Sequence, residues 1–310
     1  MLLLSNYITQ VQRILNDTSQ SVWSQAEVTD RINDARLDAS RDFHSVRRNV
    51  VGVQLLPGVE IYNLDGAVAG ANVTAGGSNY GTGATVPVTF SAPPAGGIQA
   101  LGTGNLLNGS LSSISMTQWG QGYQAVPTIA VGGTGSGAAA TAVTLFQSNP
   151  LSSTIGNPLA IVGIANQWNN QRYTLGYQPF IFFNAYARNW VNLSNQGPPG
   201  LFTHVNQDRK VYIRNAPDQI YNSEWDTVFM TAPLVATTDS DAQMIEPWNS
   251  AVQFKACAYL LYKMRNFQEI NAMESKYKEL VPHIITTSGG IRIPNPYHKT
   301  IQRRVIGMGG

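Results

Sequence analysis

The chain has 310 residues; 43% are hydrophobic, only 12% are Asp, Glu, Lys or Arg, and the formal net charge is +2. This length corresponds to about two domains of roughly 150 residues each, and the apolar share excludes wholesale disorder. The small net charge argues against binding to nucleic acid or to an anionic membrane by bulk electrostatics. A single cysteine, the lack of a membrane-length apolar run and an apolar start too short for a signal peptide predict a protein made in a reducing cytoplasm.

Two helices are predicted at the start of the chain. An apolar stripe with helical spacing marks the first, at Leu4, Tyr7, Ile8, Val11, Ile14 and Leu15. Residues 16–19 end this helix, because their side chains compete for backbone hydrogen bonds. Ser24 and Glu27 then form an S-x-x-E capping box for the second helix, with Trp23 and Val28 placed as a hydrophobic staple.

The second helix is predicted to have one apolar and several charged faces. The apolar face comprises Val28, Ile32, Ala35, Ala39 and Phe43. The other faces carry Asp30, Arg31, Asp34, Arg36 and Asp38. Because six basic and six acidic residues balance in the first fifty, we interpret these charges as an ordinary solvated helix surface.

Strands are predicted after Arg48. Alternation through Val51, Val53 and Leu55, a turn at Pro57-Gly58, and alternation again to Leu64 indicate a hairpin. A second strand pair is predicted in 161–168 and 172–175, a short aromatic helix in 180–190, and further strands in 210–213 and 225–230 around a turn at Pro217-Asp218.

A helical hairpin is predicted in the last third of the chain. Pro247 suits the first turn of its first helix, which continues to about residue 264. Asn266 and Glu269 repeat the capping pattern for the second helix, and Pro282 is predicted to end it. We expect these helices to pack against the first two as a small bundle.

Residues 66–150 form a predicted insertion. No Asp, Glu, Lys, Arg or His occurs from Gly66 to Gln171, and within this stretch a Gly-x-x-Tyr motif followed by Val-Pro ends at Tyr80 and again at Tyr123. A repeat of this length indicates a duplicated supersecondary unit. With two copies the module must share one core, which predicts short strands with tight Gly and Pro turns.

Two interpretations of the insertion stay open. As a surface module it would dock a partner or contact glycan; as structural bulk it would do neither. The glycines of 132–137 do not predict a phosphate site, because no cation is near them and a β-rich segment follows instead of a helix.

Catalysis, metal binding and cofactor binding are not predicted. His44, His204, His283 and His298 lie in unrelated segments without metal-ligand spacing. Cys257 lies within an apolar helix, where a buried thiol is the ordinary expectation.

The end of the chain, 283–310, is predicted to be an extended basic tail. It lacks acidic residues and mixes basic with apolar side chains at Ile291, Arg292, Ile293, Tyr297, Lys299, Ile301, Arg303 and Arg304. Such a segment either keeps the protein in solution or becomes ordered on a partner.

The order of these elements resembles the head-to-tail adaptor, or connector, proteins of tailed bacteriophages, in particular those with short tails. The likeness lies in 7–17 with 23–36, in the strand, Pro-Asp and Tyr of 210–221, and in the helical pair of 251–277. It covers 1–65 and about 150–280. It implies an α+β fold with a discontinuous helical core in 1–65 and 151–282, interrupted by the β insertion.

The resemblance also implies a function. Such a protein forms a ring of about twelve subunits in the virion neck, with portal protein above and a tail tube or nozzle protein below. DNA passes through the ring without specific binding, and the tail of 283–310 binds the portal, so that its eight residues named above are the predicted site. The alternative is a virion decoration protein whose repeats contact host glycan or anchor tail fibres or spikes. Both predict a non-enzymatic structural protein assembled in the host cytoplasm, without membrane association.

Overall fold

The computed structural model describes residues 2–149, 154–168, 171–187, 196–205, 208–244 and 246–287. The fold is α+β, as the sequence predicts. The helices are α1 Leu4–Ile14, α2 Gln25–Phe43, α3 Phe180–Phe182, which continues into a π-helical turn Phe183–Ala187, α4 Trp248–Met264 and α5 Phe267–Thr287. The strands of the first half are β1 Leu2–Leu3, β2 Arg47–Leu55, β3 Ile61–Asn63, β4 Val68–Ser78, β5 Thr85–Phe90, β6 Leu101–Leu107, β7 Ser110–Gln118, β8 Ile129–Val131, β9 Ser136–Thr144 and β10 Gln147–Asn149. Those of the second half are β11 Thr154–Gly156, β12 Pro158–Trp168, β13 Gln171–Thr174, β14 Gly176–Tyr177, β15 Leu201–Val205, β16 Lys210–Arg214, β17 Tyr221–Phe229 and β18 Ser240–Asp241.

The chain divides into two compact units. The β unit comprises Met1–Asn6 and Arg36–Met244, and the helical unit comprises Tyr7–Ala35 and Ile245–Gly310. The predicted insertion of 66–150 lies wholly inside the β unit and does not separate as a body of its own. Its strands share buried side chains with the sheet that carries β2, which is the physical reason for the difference.

The β unit contains two four-stranded sheets outside the insertion. One has the order β13-β12-β17-β2 and the other β14-β15-β16-β3. The insertion, hereafter the repeat module, contributes a sheet β7-β6-β5-β8 and the pair β4-β9. The predicted strand pair after the insertion is confirmed as the antiparallel pair β12–β13.

The hairpin predicted around Pro57-Gly58 is wrong. β2 pairs with β17, whereas β3 pairs with β16 in the other sheet. The turn itself forms, because Val59 N–H bonds to Leu56 O at 3.2 Å. After the turn, β3 pairs with β16 instead of β2. The alternation of residues within one segment does not show which other strand will pair with it.

The alternation in β2 is also interrupted. Val51 is 53% exposed although Val53 is fully buried, because Gly52 is an extra residue between the pairs Ser223–Val53 and Glu224–Val51. Such a bulge moves the following side chains to the opposite face. Gly52 adopts φ +87°, a backbone conformation that favours glycine, and a Cβ there would force the Asn72 side chain to move because Oδ1 would lie 2.6 Å away.

The helical unit brings both ends of the described chain together. Buried apolar residues of all four helical segments line its core: Tyr7, Val11, Val28, Ile32, Ala35, Val252, Ala256, Cys257, Ile270 and Ile284. Tyr7 Oη donates a hydrogen bond to Asn249 Oδ1 at 2.6 Å, and the backbone O of Val11 is 3.9 Å from Cys257 Sγ. The predicted packing of the first two helices with the last two is therefore present in this unit.

The capping predictions hold for α2 and in part for α5. Ser24 N–H bonds to Glu27 Oε2 at 3.1 Å, and Glu27 N–H bonds to Ser24 Oγ at 3.3 Å, so both halves of the box form. Asn266 Oδ1 accepts a longer bond, 3.4 Å, from Glu269 N–H.

Two predictions about prolines need correction. Pro247 precedes the helix as its N-cap instead of lying in the first turn. Pro282 does not end α5, which continues to Thr287. Val281 and Ile284 are buried on either side of it, so packing outweighs the one backbone hydrogen bond that proline removes.

Arg36 is not part of a solvated surface, contrary to the prediction. Its side chain is 1% exposed and forms a bidentate ion pair with Asp241, with Nε–Oδ2 at 2.8 Å and Nη2–Oδ1 at 2.9 Å. Nη1 donates to Ala232 O at 2.8 Å. Both residues belong to the β unit, where α2 continues beyond Ala35.

Candidate functional site

The two repeats of the module are interlocked. The first contributes β4, β5 and β6, and the second β7, β8 and β9. Strands of different repeats pair in the ladders β4–β9, β5–β8 and β6–β7, and the equivalent strands β5 and β8 face each other in the register Val88–Val131 to Phe90–Ile129. The predicted common core is therefore present, because three of the four ladders in the module join strands of different repeats.

The repeated tyrosines fill the core of the module. Tyr80 is 8% exposed and Tyr123 is 2% exposed. Tyr80 Oη accepts a hydrogen bond from Ala138 N–H at 3.2 Å, in the second repeat. Tyr123 Oη accepts one from Ala100 N–H at 3.1 Å and donates to Ser91 O at 2.9 Å, both in the first.

The tyrosines of the two Gly-x-x-Tyr motifs therefore have equivalent structural roles. Each hydroxyl satisfies main-chain groups of the opposite repeat. Small residues make room for the rings, because a Cβ at Gly135 would lie 2.4 Å from Tyr80 and one at Gly120 would lie 2.4 Å from Tyr123. Burial raises the pKa of Tyr123, which keeps its hydroxyl protonated. Neither ring is exposed enough to stack on a glycan.

Gln54 and Trp119 join the module to the β13-β12-β17-β2 sheet. The Gln54 amide donates to Ile114 O at 2.7 Å and accepts from Met116 N–H at 2.8 Å, so it pairs with strand β7 as another strand would. Trp119 Nε1 donates to Gln54 O at 2.7 Å. Its ring lies 4.5 Å from that of Tyr62 and 5.9 Å from that of Trp225.

Sequence reasoning missed this junction. The available signal was an amide, Gln54, in the otherwise apolar run of residues 50–56, together with the only tryptophan of the module, Trp119. Burial raises the pKa of Tyr62, whose hydroxyl accepts a bond from Leu56 N–H at 2.8 Å. The junction is thus built from neutral hydrogen-bonding groups.

An open cleft of about 750 Å³ lies between strands β4 and β7 of the module and the β13-β12-β17-β2 sheet. Amide and hydroxyl side chains line most of it, among them Asn72, Ser113, Gln167 and Asn222. Its charged groups in the described chain are Arg172 and Glu224, which form an ion pair of 2.7 Å.

Two of the groups considered for chemistry, Cys257 and His204, are surrounded by apolar or aromatic side chains. Burial raises the pKa of the Cys257 thiol to about 12, so it is protonated at neutral pH. Burial lowers the pKa of His204, which lies among aromatic side chains with its ring 5.6 Å from that of Tyr177. Within the described ranges no group of three or more His, Cys, Asp or Glu side chains is placed to hold a metal ion.

The predicted portal-binding residues, Ile291, Arg292, Ile293, Tyr297, Lys299, Ile301, Arg303 and Arg304, lie outside the described residues. The described chain ends with α5 at Thr287. None of its described helices has both the length and the apolar character to cross a bilayer. The capping residues Ser24, Glu27, Asn266 and Glu269 all belong to the helical unit and have structural roles.

The helical unit exposes an apolar group at the turn between α4 and α5. Tyr262, Met264 and Phe267 are 47%, 55% and 64% exposed. Arg265, with φ +56°, forms the left-handed C-cap of α4 between them. We call Tyr262, Met264, Arg265 and Phe267 the hairpin tip.

Comparison with known proteins assigns no family. Neither a protein-family model nor a curated protein matches the chain significantly.

Proposed function

We propose that this protein is a structural adaptor of a bacteriophage virion, a ring subunit placed between the portal and the tail. The ring would have about twelve copies, continue the DNA channel and receive a tail tube or nozzle protein below. In this proposal the protein resides in the neck of the virion and is assembled in the host cytoplasm.

The observation that carries the proposal is the helical unit. It joins residues 7–35 to 246–287 across more than two hundred intervening positions, through the Tyr7–Asn249 bond of 2.6 Å and the Lys263–Glu27 ion pair of 2.5 Å. Those helices are the ones in which the sequence resembles phage adaptors. A compact body formed by two segments far apart in the chain, with a long β segment between them, suits a protein that joins others.

The hairpin tip supplies a surface for such joining. Ring subunits contact each other through two different patches that meet under rotation, and interface centres are rich in aromatic residues, Met and Arg. Tyr262, Met264, Arg265 and Phe267 have that composition and are exposed. The tip is therefore our candidate for a subunit or tail-component contact.

The near-neutral charge is compatible with a DNA channel. Basic side chains that touch phosphates retain DNA, whereas the stretch from Gly66 to Gln171 carries no charge at all. We expect DNA to pass without specific binding. Lysine substitutions on the channel wall of an assembled ring should slow DNA ejection, and unchanged ejection would count against this part of the proposal.

Electron microscopy of the purified protein with and without its portal protein tests the proposal. We expect rings on the portal. Because a subunit of this kind can remain monomeric until its partner is present, a monomer in isolation decides nothing, whereas failure to join the portal at concentrations that saturate related assemblies overturns the proposal.

The tail is tested by truncation after Thr287, which leaves α5 complete. The predicted tail begins at 283, inside α5, and cutting there would remove buried Ile284. Deletion of 288–310 should leave the unfolding midpoint unchanged and abolish portal binding. A matched variant with Arg292, Lys299, Arg303 and Arg304 changed to Gln separates charge from length; normal portal binding by both would refute the tail's role.

Removal of the module would distinguish the adaptor hypothesis from the decoration hypothesis. However, deletion of 67–149 would also remove Trp119, and Tyr62 and Trp225 would then be exposed. Substitutions of exposed module residues avoid this. Leu107 and Val126 are 65% and 47% exposed, and changing both to Ser should leave ring formation intact if the module is not the assembly surface.

A further inference from the structure

We propose that the cleft between the repeat module and the β13-β12-β17-β2 sheet binds an uncharged oligosaccharide chain. This inference does not depend on the adaptor proposal, because it is argued only from the residues that line the cleft. It rests on the register of four strands, on the wall that the module provides and on the charge balance of the lining.

A polar row crosses the floor of the cleft. Arg172 on β13 is paired in register with Gln167 on β12, and Asn222 on β17 is paired with Gln54 on β2. Strands β12 and β17 are paired at Asn166 and Ser223. Gln167 and Asn222 are the next residues on these two strands and lie opposite each other, so the two pairs form one row across the sheet. Neighbouring strands lie about 4.8 Å apart, so the row extends for about 14 Å.

The row faces away from the core. The opposite face of the same strands carries Trp225 and Ile164, which are buried, whereas Gln167, Arg172 and Asn222 are exposed. Exposed Val51 adds an aliphatic contact beside the row. A floor of this kind offers hydrogen bonds to hydroxyl groups and one apolar patch to the C–H face of a sugar ring.

The module makes the wall of the cleft and is fixed in place. At the wall the Gln54 amide bonds to both Ile114 O and Met116 N–H, so β7 is held at the end of the row. The backbones of β4 and β2 also pack closely, because a Cβ at Gly70 of β4 would lie 2.1 Å from Gly52 O. The cleft is therefore pre-formed, which lowers the entropic cost of binding.

The lining selects a neutral, hydroxylated ligand. Each amide both donates and accepts hydrogen bonds, as each sugar hydroxyl does. The two charges, Arg172 and Glu224, neutralise each other at 2.7 Å, so a nucleic acid or an acidic polysaccharide gains no net attraction. A volume of about 750 Å³ is within the usual range for ligand sites, but an apolar ligand would leave these polar groups unpaired.

A peptide is a less suitable occupant than a glycan. Extended peptides gain affinity mainly by adding a strand to a free sheet edge. The floor of the cleft is instead the face of a sheet whose central strands β12 and β17 are paired on both sides. The groups that a ligand can contact on this floor are therefore side chains and not unpaired main-chain groups.

Saturation-transfer NMR and calorimetry on the full chain test the site. The probes are maltohexaose, cellohexaose and chitohexaose as neutral sugars, with a heparin hexasaccharide, single-stranded DNA and a Ser-Gly-rich peptide as competitors of other classes. We expect at least one neutral sugar to bind and the heparin, DNA and peptide to fail.

Gln167→Ala combined with Asn222→Ala should weaken sugar binding at least about tenfold, because both amides that bond to the sugar hydroxyls are lost. Gln124→Ala, an exposed amide of the module outside the cleft, should bind as the unaltered protein does. All variants should keep the same unfolding midpoint. Binding of none of the three neutral sugars, binding that the double variant leaves intact, or binding of heparin, DNA or peptide in their place overturns the proposal.

Discussion

The repeat module and the charged segments around it satisfy their buried polar groups by different chemistry. In the module, the neutral hydroxyls of Tyr80 and Tyr123 bond to main-chain groups of the opposite repeat. Outside it, buried Arg36 and Asp241 neutralise each other as an ion pair. The comparison teaches that a charge-free β module needs large hydrogen-bonding side chains and small residues beside them, whereas a charged helix can bury an arginine only against a matched carboxylate.

The largest expected effect concerns the ion pair. Arg36→Ala leaves Asp241 buried without its partner and should cost about 3–5 kcal/mol of unfolding free energy. Urea unfolding measures this. The matched control is Arg31→Ala on the same helix, whose pair with Asp34 is 49% exposed on both sides and should contribute at most about 1 kcal/mol. Equal effects of the two substitutions would refute the distinction between buried and exposed charge.

The junction between the two regions comes next. Trp119→Ala removes a side chain that is 5% exposed and packs on Tyr62 and Trp225, and should cost about 3–5 kcal/mol. Trp119→Phe keeps most of the ring area but loses the bond to Gln54 O, so it should cost less. Val126→Ala, at an exposed position, serves as the control. If it lowers the unfolding free energy as much as Trp119→Ala does, the role of Trp119 at the junction is contradicted.

Within the module, the two tyrosines should differ. Tyr123→Phe leaves Ala100 N–H and Ser91 O without their partner and should cost about 1–3 kcal/mol. Tyr80→Phe loses one accepted bond of 3.2 Å and should cost about 0.5–1.5 kcal/mol. Thermal and urea unfolding would rank them, and the reverse order would show that the hydrogen-bond count does not set the stability of the module.

The smallest effect is a pH dependence in the helical unit. Burial tends to raise the pKa of Asp17, but hydrogen bonds from Trp23, Ser21 and Val22 lower it below its ordinary value of 3.8 overall. Its stabilisation should therefore be complete above pH 3.8 and decline as the pH falls through the lower folded value.

Asp17→Asn tests this contribution. The variant should be less stable at neutral pH and should lose less stability on acidification than the unaltered protein, measured as the unfolding midpoint at each pH. If the unfolding midpoint of the variant depends on pH in the same way as that of the unaltered protein, Asp17 does not cause the loss of stability in acid. The charge-free repeat module offers no carboxylate for a comparable effect.

Local signals predicted much of the helical unit. The capping box at Ser24 and Glu27 needs only four consecutive residues to form, and the stripe through Tyr7 and Val11 needs only helical periodicity. The end of α5 was not predictable in this way, because Pro282 is a local stop signal that tertiary burial of Val281 and Ile284 overrides.

The β unit was predictable in its elements but less so in its connections. Alternation located β2 and the β12–β13 pair, yet it assigned β3 to the wrong partner. Three features depend on the pairing of residues far apart in the chain. They are the bulge at Gly52, the hydrogen bonds of Gln54 to β7 and the polar row across four strands. No window of the sequence contains that pairing.

Residue type and spacing along the chain were enough to predict the helix starts, the strand segments, the duplicated Gly-x-x-Tyr module and its lack of charge. Only the tertiary structure decided that Arg36 is buried, that the repeated tyrosines face inward and that a polar cleft borders the module. Whether a side chain is buried depends on which distant segment packs against it and excludes water. The free energy of that burial depends on both packed segments, so it cannot be read from either segment alone.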